Sequence, residues 1–276
     1  MSSKPTEVIA VRLHHHVQAG HEEHGDEAGG SQCEAGKFGV AEHAVGEQCA
    51  EHGGWRKAHQ PVSHLVIGDC ESFVNIDSMD TACAQGAAAA AEHLWRAGCR
   101  SFFVLGSAHP NEQQHKHGRG NGFGPRRLAA IMRTLESHGV TIEPRRCIEC
   151  ERTLDGGRET AWRLLDREFG DGVPEPDCGI LCMSDTIAIG ALHELTEHGI
   201  RVPDDVRLMG FDGIPFSACA NPPISTVAMD VPAMARTVIN RMAAMIEANL
   251  RHERLADITH DHIQFRVVPR TSTLAA

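Results

Sequence analysis

The sequence predicts an α/β fold in which helices cover the faces of a mostly parallel sheet. From Val62 onward, short apolar runs alternate with longer amphipathic stretches, which is the pattern of strands and helices in such a fold. Several of the amphipathic stretches end in glycine, as helices with a left-handed cap do. The 276 residues suffice for one large or two linked domains whose core needs neither disulfides nor metal.

Each element follows from its local pattern. The stretch 14–60 is rich in His, Gly and Glu without sustained periodicity and predicts loop or poorly ordered chain, preceded by one strand pattern, VIAVRL at 8–13. Further strands are predicted at 64–69, 101–107, 178–184, 206–212 and 263–268. Helices are predicted at 86–98, 126–139, 156–170, 185–199 and 231–250.

The composition narrows the classes of function. A net charge of -11, from 37 acidic against 26 basic residues, argues against unaided tight binding of nucleic acid. Tyr is absent and aromatics make up 4%, so ligand contacts are expected to be polar or aliphatic. No apolar run approaches the roughly 20 residues of a membrane span. The start lacks a secretion signal and the ten cysteines are irregularly spaced, which predicts a cytoplasmic protein with reduced thiols.

The predicted order of elements places a ligand at one edge of the sheet. Right-handed connections bring the loops after Ser107, Met183 and Asp212 to the carboxyl ends of the strands. Ser184 stands between a strand and a helix, where its hydroxyl can cap the helix. Open α/β sheets bind small ligands at this edge. The sequence therefore predicts a small-molecule site there.

Three stretches, at 90–106, 184–215 and 221–231, resemble the effector-binding part of lactose/galactose-repressor (LacI/GalR) transcription regulators. A long helix and a closing VVPRTST at 267–273 follow in the same order, so that the resemblance covers about 62–276. It implies a periplasmic-binding-protein-like (type I) fold with two α/β lobes. It also implies that a small effector binds between the lobes.

The resemblance further implies a division into domains. Lobe 1 would hold about 62–78 and 229–256, lobe 2 about 79–227 and 262–276, with chain crossings near 78–82, Val227 with Ala228, and 257–262. The atypical segment 1–61 shows neither the paired helices nor the basic cluster of a helix-turn-helix. DNA binding is thus expected only if such a reader is supplied elsewhere. The segment also does not supply the strand and helix units that open the family's first lobe, so whether this lobe is complete stays open. It also stays open whether residues 1–61 come from a truncated or misread start of a longer regulator gene.

The resemblance assigns ligand-binding roles to polar residues on both lobes. Arg127 could bind two hydroxyls or a carboxylate through its planar fork, and Asp212 could accept from vicinal hydroxyls or a ring N–H. Their structural alternatives are a surface arginine and a turn cap. Ser184 stands where many members carry Asn, although helix capping alone would explain it. Asp69 matches an acidic contact of the other lobe, and a loop-capping role is equally open.

Three further candidates depart from the family pattern or are apolar. Arg152 lies where members commonly carry an aromatic that stacks on the ligand, and a guanidinium can stack or pair with an anion. This favours a phosphorylated or acidic ligand, on the condition that Arg152 is not exposed to solvent. Met229 and Val231 fall at contact positions, although apolar residues are more often part of the core.

Other chemistry finds little support in the sequence. The paired spacing of a zinc site is absent from the set His14, His15, His16, His21, His24, Cys33 and Cys49, and Cys147 with Cys150 forms a single pair. The glycine-rich stretch 118–124 has neither dinucleotide-binding nor P-loop context. No triad or carboxylate pair stands out. We therefore expect no catalytic residues, no metal and no cofactor.

These observations predict the ligand-sensing domain of a LacI/GalR-like regulator. It would be non-enzymatic and dimeric, and would bind a sugar, a sugar phosphate or a nucleoside. Lobe closure on the effector would shift a two-state equilibrium. The alternatives are a free-standing solute-binding protein, which would need an export signal, and a regulator fragment without function.

Overall fold

The computed structural model describes residues 10–13, 64–68, 76–107, 123–169, 177–251 and 257–274. The chain divides into two compact units. Unit 1 comprises Met1–Met79 with Arg236–Asp261, and unit 2 comprises Asp80–Ala235 with His262–Ala276. Residues 229–235 fall in unit 2, whereas the resemblance assigns them to lobe 1. The predicted loop over 14–60 and Asp69 lie outside the described residues.

The described elements alternate between strand and helix along most of the chain. The strands are β1 Ala10–Leu13, β2 His64–Gly68, β3 Asp77–Asp80, β4 Ser101–Leu105, β5 Cys147–Ile148, β6 Cys178–Cys182, β7 Val206–Asp212, β8 Ser225–Met229, β9 His260–His262 and β10 Phe265–Val268. The α-helices are α1 Cys83–Arg96, α2 Phe123–Ser137, α3 Leu154–Leu164, α4 Asp185–Glu197, α5 Pro215–Cys219 and α6 Val231–Leu250, with a 3-10 turn at Pro144–Arg146 and a π-turn at Leu165–Phe169. None of the helices in these ranges combines the length and apolarity that a bilayer crossing requires.

Two sheets organise these strands, and their arrangement confirms the predicted α/β fold. One sheet has the order β1-β2-β3-β9, and the other has the order β10-β8-β7-β6-β4-β5. β1 lies within the predicted strand at 8–13 and pairs in parallel with β2. In the six-stranded sheet, the strands β5, β4, β6, β7 and β8 are parallel to one another. β10 runs antiparallel to β8, because the chain returns to the sheet at the end where β8 leaves it and Phe265 pairs with Met229.

The core of unit 2 surrounds the middle strands of the six-stranded sheet. All five residues of β6 are buried, and so are the last four of β4. Strands covered by helices on both faces are continuous apolar runs rather than alternating ones, which explains their sequences. Each fully buried Leu or Ile of this core, such as Leu105 and Ile180, stabilises the fold by roughly 1.5 to 3 kcal/mol.

Two glycines allow α3 and α4 to pack with their backbones in contact. A Cβ atom added at Gly190 would collide with the carbonyl oxygen of Leu154, and one at Gly157 would collide with that of Ile187. Neither neighbour can rotate away, since both are backbone atoms of a helix or of the residue that begins one. Glycine at these positions therefore sets the distance between the two helices.

The carboxyl-terminal segment closes the amino-terminal edge of β7 and β8. The hydroxyl of Ser272 accepts from the backbone N–H of Ser225 at 2.8 Å and donates to the carbonyl oxygen of Leu208 at 2.6 Å. Thr273 bonds the hydroxyl of Ser225 at 2.6 Å and the ring of His93 at 2.8 Å. Ser272 is fully buried, so these bonds have no water to replace them.

We expect Ser272→Ala to lower the free energy of unfolding by about 2 kcal/mol, because a buried N–H and a buried carbonyl each lose a partner. Urea denaturation followed by circular dichroism measures this change. Ser137→Ala is the matched control, because the hydroxyl of Ser137 bonds a carbonyl on an exposed helix end. Equal stability of the two variants would contradict the role given to the carboxyl-terminal segment.

Candidate functional site

Arg127 of α2 and Asp212 at the end of β7 meet at the carboxyl edge of the six-stranded sheet. Nη2 of Arg127 lies 3.2 Å from Oδ1 of Asp212. The side chain of Arg127 is 4% exposed, whereas that of Asp212 is 33% exposed. The carboxylate of Asp212 is therefore the member of the pair that faces solvent, and the buried guanidinium of Arg127 forms an ion pair with it.

The guanidinium of Arg127 is held by contacts from several elements. Nη1 donates to the carbonyl oxygen of Met183, and Nη2 also lies 3.7 Å from the sulfur of Cys83. Its carbon Cζ lies 3.6 Å from the ring centroid of Phe211, in a cation–π arrangement. The alternative of a surface arginine is therefore wrong. Tertiary contacts bury this side chain although it stands in the first turns of a helix.

Asp212 has a backbone conformation that residues with a side chain seldom adopt. Its φ angle is 108°, and the following Gly213 has a φ of 75°. A non-glycine residue in this region costs roughly 1 to 3 kcal/mol and persists only where its surroundings impose it. Such strain is concentrated at functional sites, which makes the turn after β7 a candidate for ligand binding.

The turn after β7 is fastened by three side chains. Oδ2 of Asp185 accepts from the backbone N–H of Ile214 at 2.8 Å. The hydroxyl of Thr226 accepts from the N–H of Gly213 at 3.2 Å. The hydroxyl of Ser217 donates to the carbonyl oxygen of Ile214 at 2.6 Å. Sequence reasoning missed Asp185, because an acidic residue in the first turn of a helix is already explained by the helix dipole.

Asp185 is fully buried, and this changes its acidity. Burial raises the pKa of Asp185 to about 6, and the nearby negative charge of Asp212 acts in the same direction. Hydrogen bonds from Thr226, Ser217 and the N–H of Ile214 oppose the rise. The folded protein therefore holds a proton at Asp185 in a pH range where an exposed aspartate has lost it.

This acidity predicts a dependence of stability on pH. Between pH about 4 and about 6, the folded state binds a proton that the unfolded state has released, so the contribution of Asp185 to stability falls as pH rises. Asp185→Asn should remove this contribution. Relative to the wild type, the variant is expected to gain about 2 to 3 kcal/mol in its free energy of unfolding between pH about 4 and about 7. Urea unfolding across this range tests it, and parallel curves for the two proteins would refute it.

The other predicted residues of unit 2 take different positions. The hydroxyl of Ser184 accepts from the N–H of Ile187 at 3.2 Å and caps α4. Met229 is half-buried at the end of β8, and Val231 is 48% exposed at the start of α6. The structure thus shows the capping role of Ser184, while ligand contacts by these three residues stay predictions.

Arg152 is exposed in the turn before α3. Partial desolvation and the positive charge of Arg127 lower the pKa of Arg152, and the charge of Asp212 opposes this effect. Arg152 therefore lies within electrostatic range of the Arg127–Asp212 pair. Its exposure removes the argument that this residue gave for a phosphorylated or acidic ligand.

Two surface cavities of unit 2 lie apart from the Arg127–Asp212 pair. One of about 290 Å³ is lined by residues near the start of α3, among them Cys150, Thr153 and Thr160. Another of about 300 Å³ lies between the end of α4 and the loop before β8. Among the described residues, no group of three His, Cys, Asp or Glu side chains is placed to hold a metal ion. The His-rich set from 14 to 49 lies outside the described residues.

Comparison with known proteins agrees with the architecture. Residues 91–273 match the family described as the periplasmic binding protein-like domain, and the chain belongs to this family. Its relatives place it within that family as an effector-binding domain of the LacI/GalR type. These relatives are transcription regulators and not enzymes.

Three comparisons illustrate the likeness. The HTH-type transcriptional repressor CytR of Escherichia coli (strain K12) is 30% identical over 102 residues, which is 37% of this chain and 28% of that repressor. A putative LacI-family regulator from Sanguibacter keddieii is 26% identical with a TM-score of 0.64, covering 80% of this chain and 74% of that one. The complex of the regulator CelR with cellobiose shares the fold, with 20% identity, a TM-score of 0.61, and coverage of 84% and 69%. The chain spans 28% to 52% of the length of the curated relatives it matches.

Proposed function

We propose that this chain is the sensing part of a LacI/GalR-type regulator and binds a neutral sugar at the Arg127–Asp212 pair. The observation that carries this proposal is the buried guanidinium of Arg127, which holds the partly exposed carboxylate of Asp212 at the carboxyl edge of the sheet. Similar structures contain cellobiose, ribose or lactose, which supports a sugar as the effector.

The charges of the pair favour a neutral ligand over an anion. The positive charge of Arg127 is balanced by Asp212, and its Nη donors already contact Met183, Cys83 and Asp212. A sugar phosphate would bring its own negative charge next to the exposed carboxylate. Vicinal hydroxyls of a sugar can instead donate to that carboxylate. A nucleoside could donate in the same way, so nucleosides belong in the test.

A thermal-shift panel of the whole chain tests the class of ligand. It contains cellobiose, lactose, ribose, glucose 6-phosphate and cytidine. A neutral sugar at about 100 times its Kd should stabilise the protein by about 2.7 kcal/mol and raise Tm by several degrees. A rise in Tm with glucose 6-phosphate alone would contradict the proposal.

The same panel with two variants tests the site. Asp212→Asn removes the charge but keeps a residue that tolerates a positive φ, so that the turn can form. Asp205→Ala is the control, because Asp205 is a buried carboxylate that bonds Arg201 at 2.6 and 2.9 Å, away from the pair. The sugar should raise the Tm of Asp205→Ala as much as that of the wild type and raise the Tm of Asp212→Asn much less. Equal rises in Tm for the two variants would mean that the sugar binds elsewhere in the protein.

Operator binding and dimer formation are parts of the same proposal that concern the whole regulator. The relatives include HTH-type transcriptional repressors, and this chain matches only part of their length. We propose that a helix-turn-helix supplied elsewhere than in segment 1–61 reads the operator, and that a homodimer presents it. The sensing unit would then report the effector to that reader through a shift between two states.

A further inference from the structure

The position of the Asp212 carboxylate depends on a turn whose backbone conformation is unfavourable without contacts from outside the turn. Asp212 and Gly213 follow β7 with φ angles of 108° and 75°. An isolated chain would leave this conformation at Asp212, because other backbone regions are lower in energy by roughly 1 to 3 kcal/mol. A contact from outside the turn must therefore fix the carboxylate in place.

We propose that Asp185 is the positioning residue of the effector site and holds the turn that presents Asp212 to the ligand. The inference rests on the proposed function, since it gives Asp212 the ligand contact. Asp185 itself would touch no ligand, because it is fully buried. Its effect would pass through the backbone of Ile214, two residues after Asp212.

The first support is the hydrogen bond from the turn to Asp185. Oδ2 of Asp185 accepts from the N–H of Ile214 at 2.8 Å. A bond to a carboxylate is stronger than one to a neutral acceptor. The backbone of Asp185 is in turn fixed by the capped start of α4, where Ser184 bonds the N–H of Ile187. The carboxylate of Asp185 is thus held at the start of a helix and bonds the backbone of the turn after β7.

The second support is the space that β7 leaves for this carboxylate. A Cβ atom at Gly210 would collide with Oδ1 of Asp185, so that a residue with a side chain at 210 would displace it. The glycine of the segment Gly210-Phe211-Asp212 therefore makes room for Asp185 beneath the strand that ends in Asp212. Asp185 therefore packs against the end of β7, the strand that carries Asp212.

The two remaining fastenings of the turn are neutral. Thr226 accepts from the N–H of Gly213, and Ser217 donates to the carbonyl oxygen of Ile214. Ser217 also accepts from Nη1 of Arg270 at 3.0 Å, which orients its hydroxyl toward Ile214. Of the three side chains that fasten the turn, Asp185 carries the negative charge. Burial of that charge, described above for its pKa, strengthens its attraction for an N–H donor.

Amide hydrogen exchange tests the positioning role without any ligand. In Asp185→Ala, the N–H of Ile214 should exchange about 10 to 100 times faster than in the wild type, while in Asp185→Asn, which keeps an oxygen acceptor without the charge, it should exchange only about 3 to 10 times faster. The N–H of Leu208 is the internal control, because it bonds the carbonyl oxygen of Ser272 at 3.0 Å in the same strand. If Asp185→Ala does not fold, Asp185→Ser gives the same comparison, since its hydroxyl is too short to replace Oδ2.

Exchange at Ile214 that rises no more than exchange at Leu208 would overturn the proposal. A selective rise at Ile214 that is clearly smaller in Asp185→Asn than in Asp185→Ala would support it. A general loss of stability cannot produce this pattern, because it would accelerate exchange at Leu208 and Ile214 together.

Calorimetric titration with cellobiose, lactose and ribose then tests the link to binding. Affinity should fall about 10- to 100-fold in Asp185→Ala and only about 3- to 10-fold in Asp185→Asn, which keeps a neutral oxygen acceptor. Asp205→Ala should bind as the wild type does. Unchanged affinity in Asp185→Ala, despite faster exchange at Ile214, would overturn the positioning role. If the wild type binds none of the three sugars, the proposed ligand class fails, and the exchange experiment alone decides whether Asp185 holds the turn.

Discussion

Gly190→Ala is expected to lower the free energy of unfolding by about 3 kcal/mol or more. The added methyl group would overlap the carbonyl oxygen of Leu154, and the N–H of Arg158 also lies close to it. Both are backbone atoms, so α3 must move away from α4 as a body. The helix propensity of alanine would offset only about 1 kcal/mol of this cost. Chemical denaturation of the purified chain measures the difference.

The matched control for Gly190→Ala is His193→Ala in the same helix. His193 is exposed, so its replacement should change the free energy of unfolding by no more than about 0.5 kcal/mol. If Gly190→Ala were as stable as His193→Ala, the backbone contact between α3 and α4 described for this fold would be incorrect.

Arg127→Ala is expected to cost about 3 kcal/mol of stability and to abolish the response to sugars. The substitution removes a buried side chain, leaves the carbonyl oxygen of Met183 without its guanidinium donor, and takes the packing surface from Phe211. Asp212 would keep part of its hydration, since it is 33% exposed. Thermal and urea unfolding measure the stability, and the sugar panel measures the response.

Arg133→Ala separates this loss from the removal of a surface arginine. Arg133 is exposed on the same helix, and we expect its replacement to change stability by less than about 0.5 kcal/mol and to leave sugar binding intact. Similar losses in both variants would mean that Arg127 has no special place in the site.

The central strands could be predicted from sequence because a strand that is buried on both faces is a continuous run of apolar residues. β4 and β6 are apolar along their length, as strands covered on both faces must be. β8 and β3 were not predicted, since most of their buried residues are polar. Ser225 of β8 is satisfied by Ser272 and Thr273, which lie more than forty positions along the chain. No local pattern contains such partners.

β3 shows the same limit more clearly. Asp77 is buried in this strand, and its Oδ1 accepts from Nε of Arg241 at 2.7 Å and from the N–H and hydroxyl of Thr259 at 2.9 and 2.8 Å. A sequence reading assigns Asp to turns and loops. The strand exists because charged and hydroxyl donors from distant segments satisfy the carboxylate.

The candidate site was predicted in part. Arg127 and Asp212 came from the family resemblance, and the structure brings them together. No local pattern indicates that Arg127 is buried, because the atoms that contact its guanidinium belong to the ends of β6 and β7 and to the start of α1. Asp185 was missed because its position in the first turn of a helix is already explained by the helix dipole. Its burial under Gly210 is a property of the fold alone.

The affinity of a neutral sugar for the wild type and for Asp212→Asn tests the central claim most directly. Titration calorimetry near neutral pH should show binding to the wild type that is about 10- to 100-fold weaker in the variant, because a hydrogen bond to a charged group is replaced by one to a neutral amide. Asp205→Ala should match the wild type. Equal affinities of the wild type and Asp212→Asn would show that the carboxylate at the end of β7 does not bind the effector, and would contradict the account given for this site.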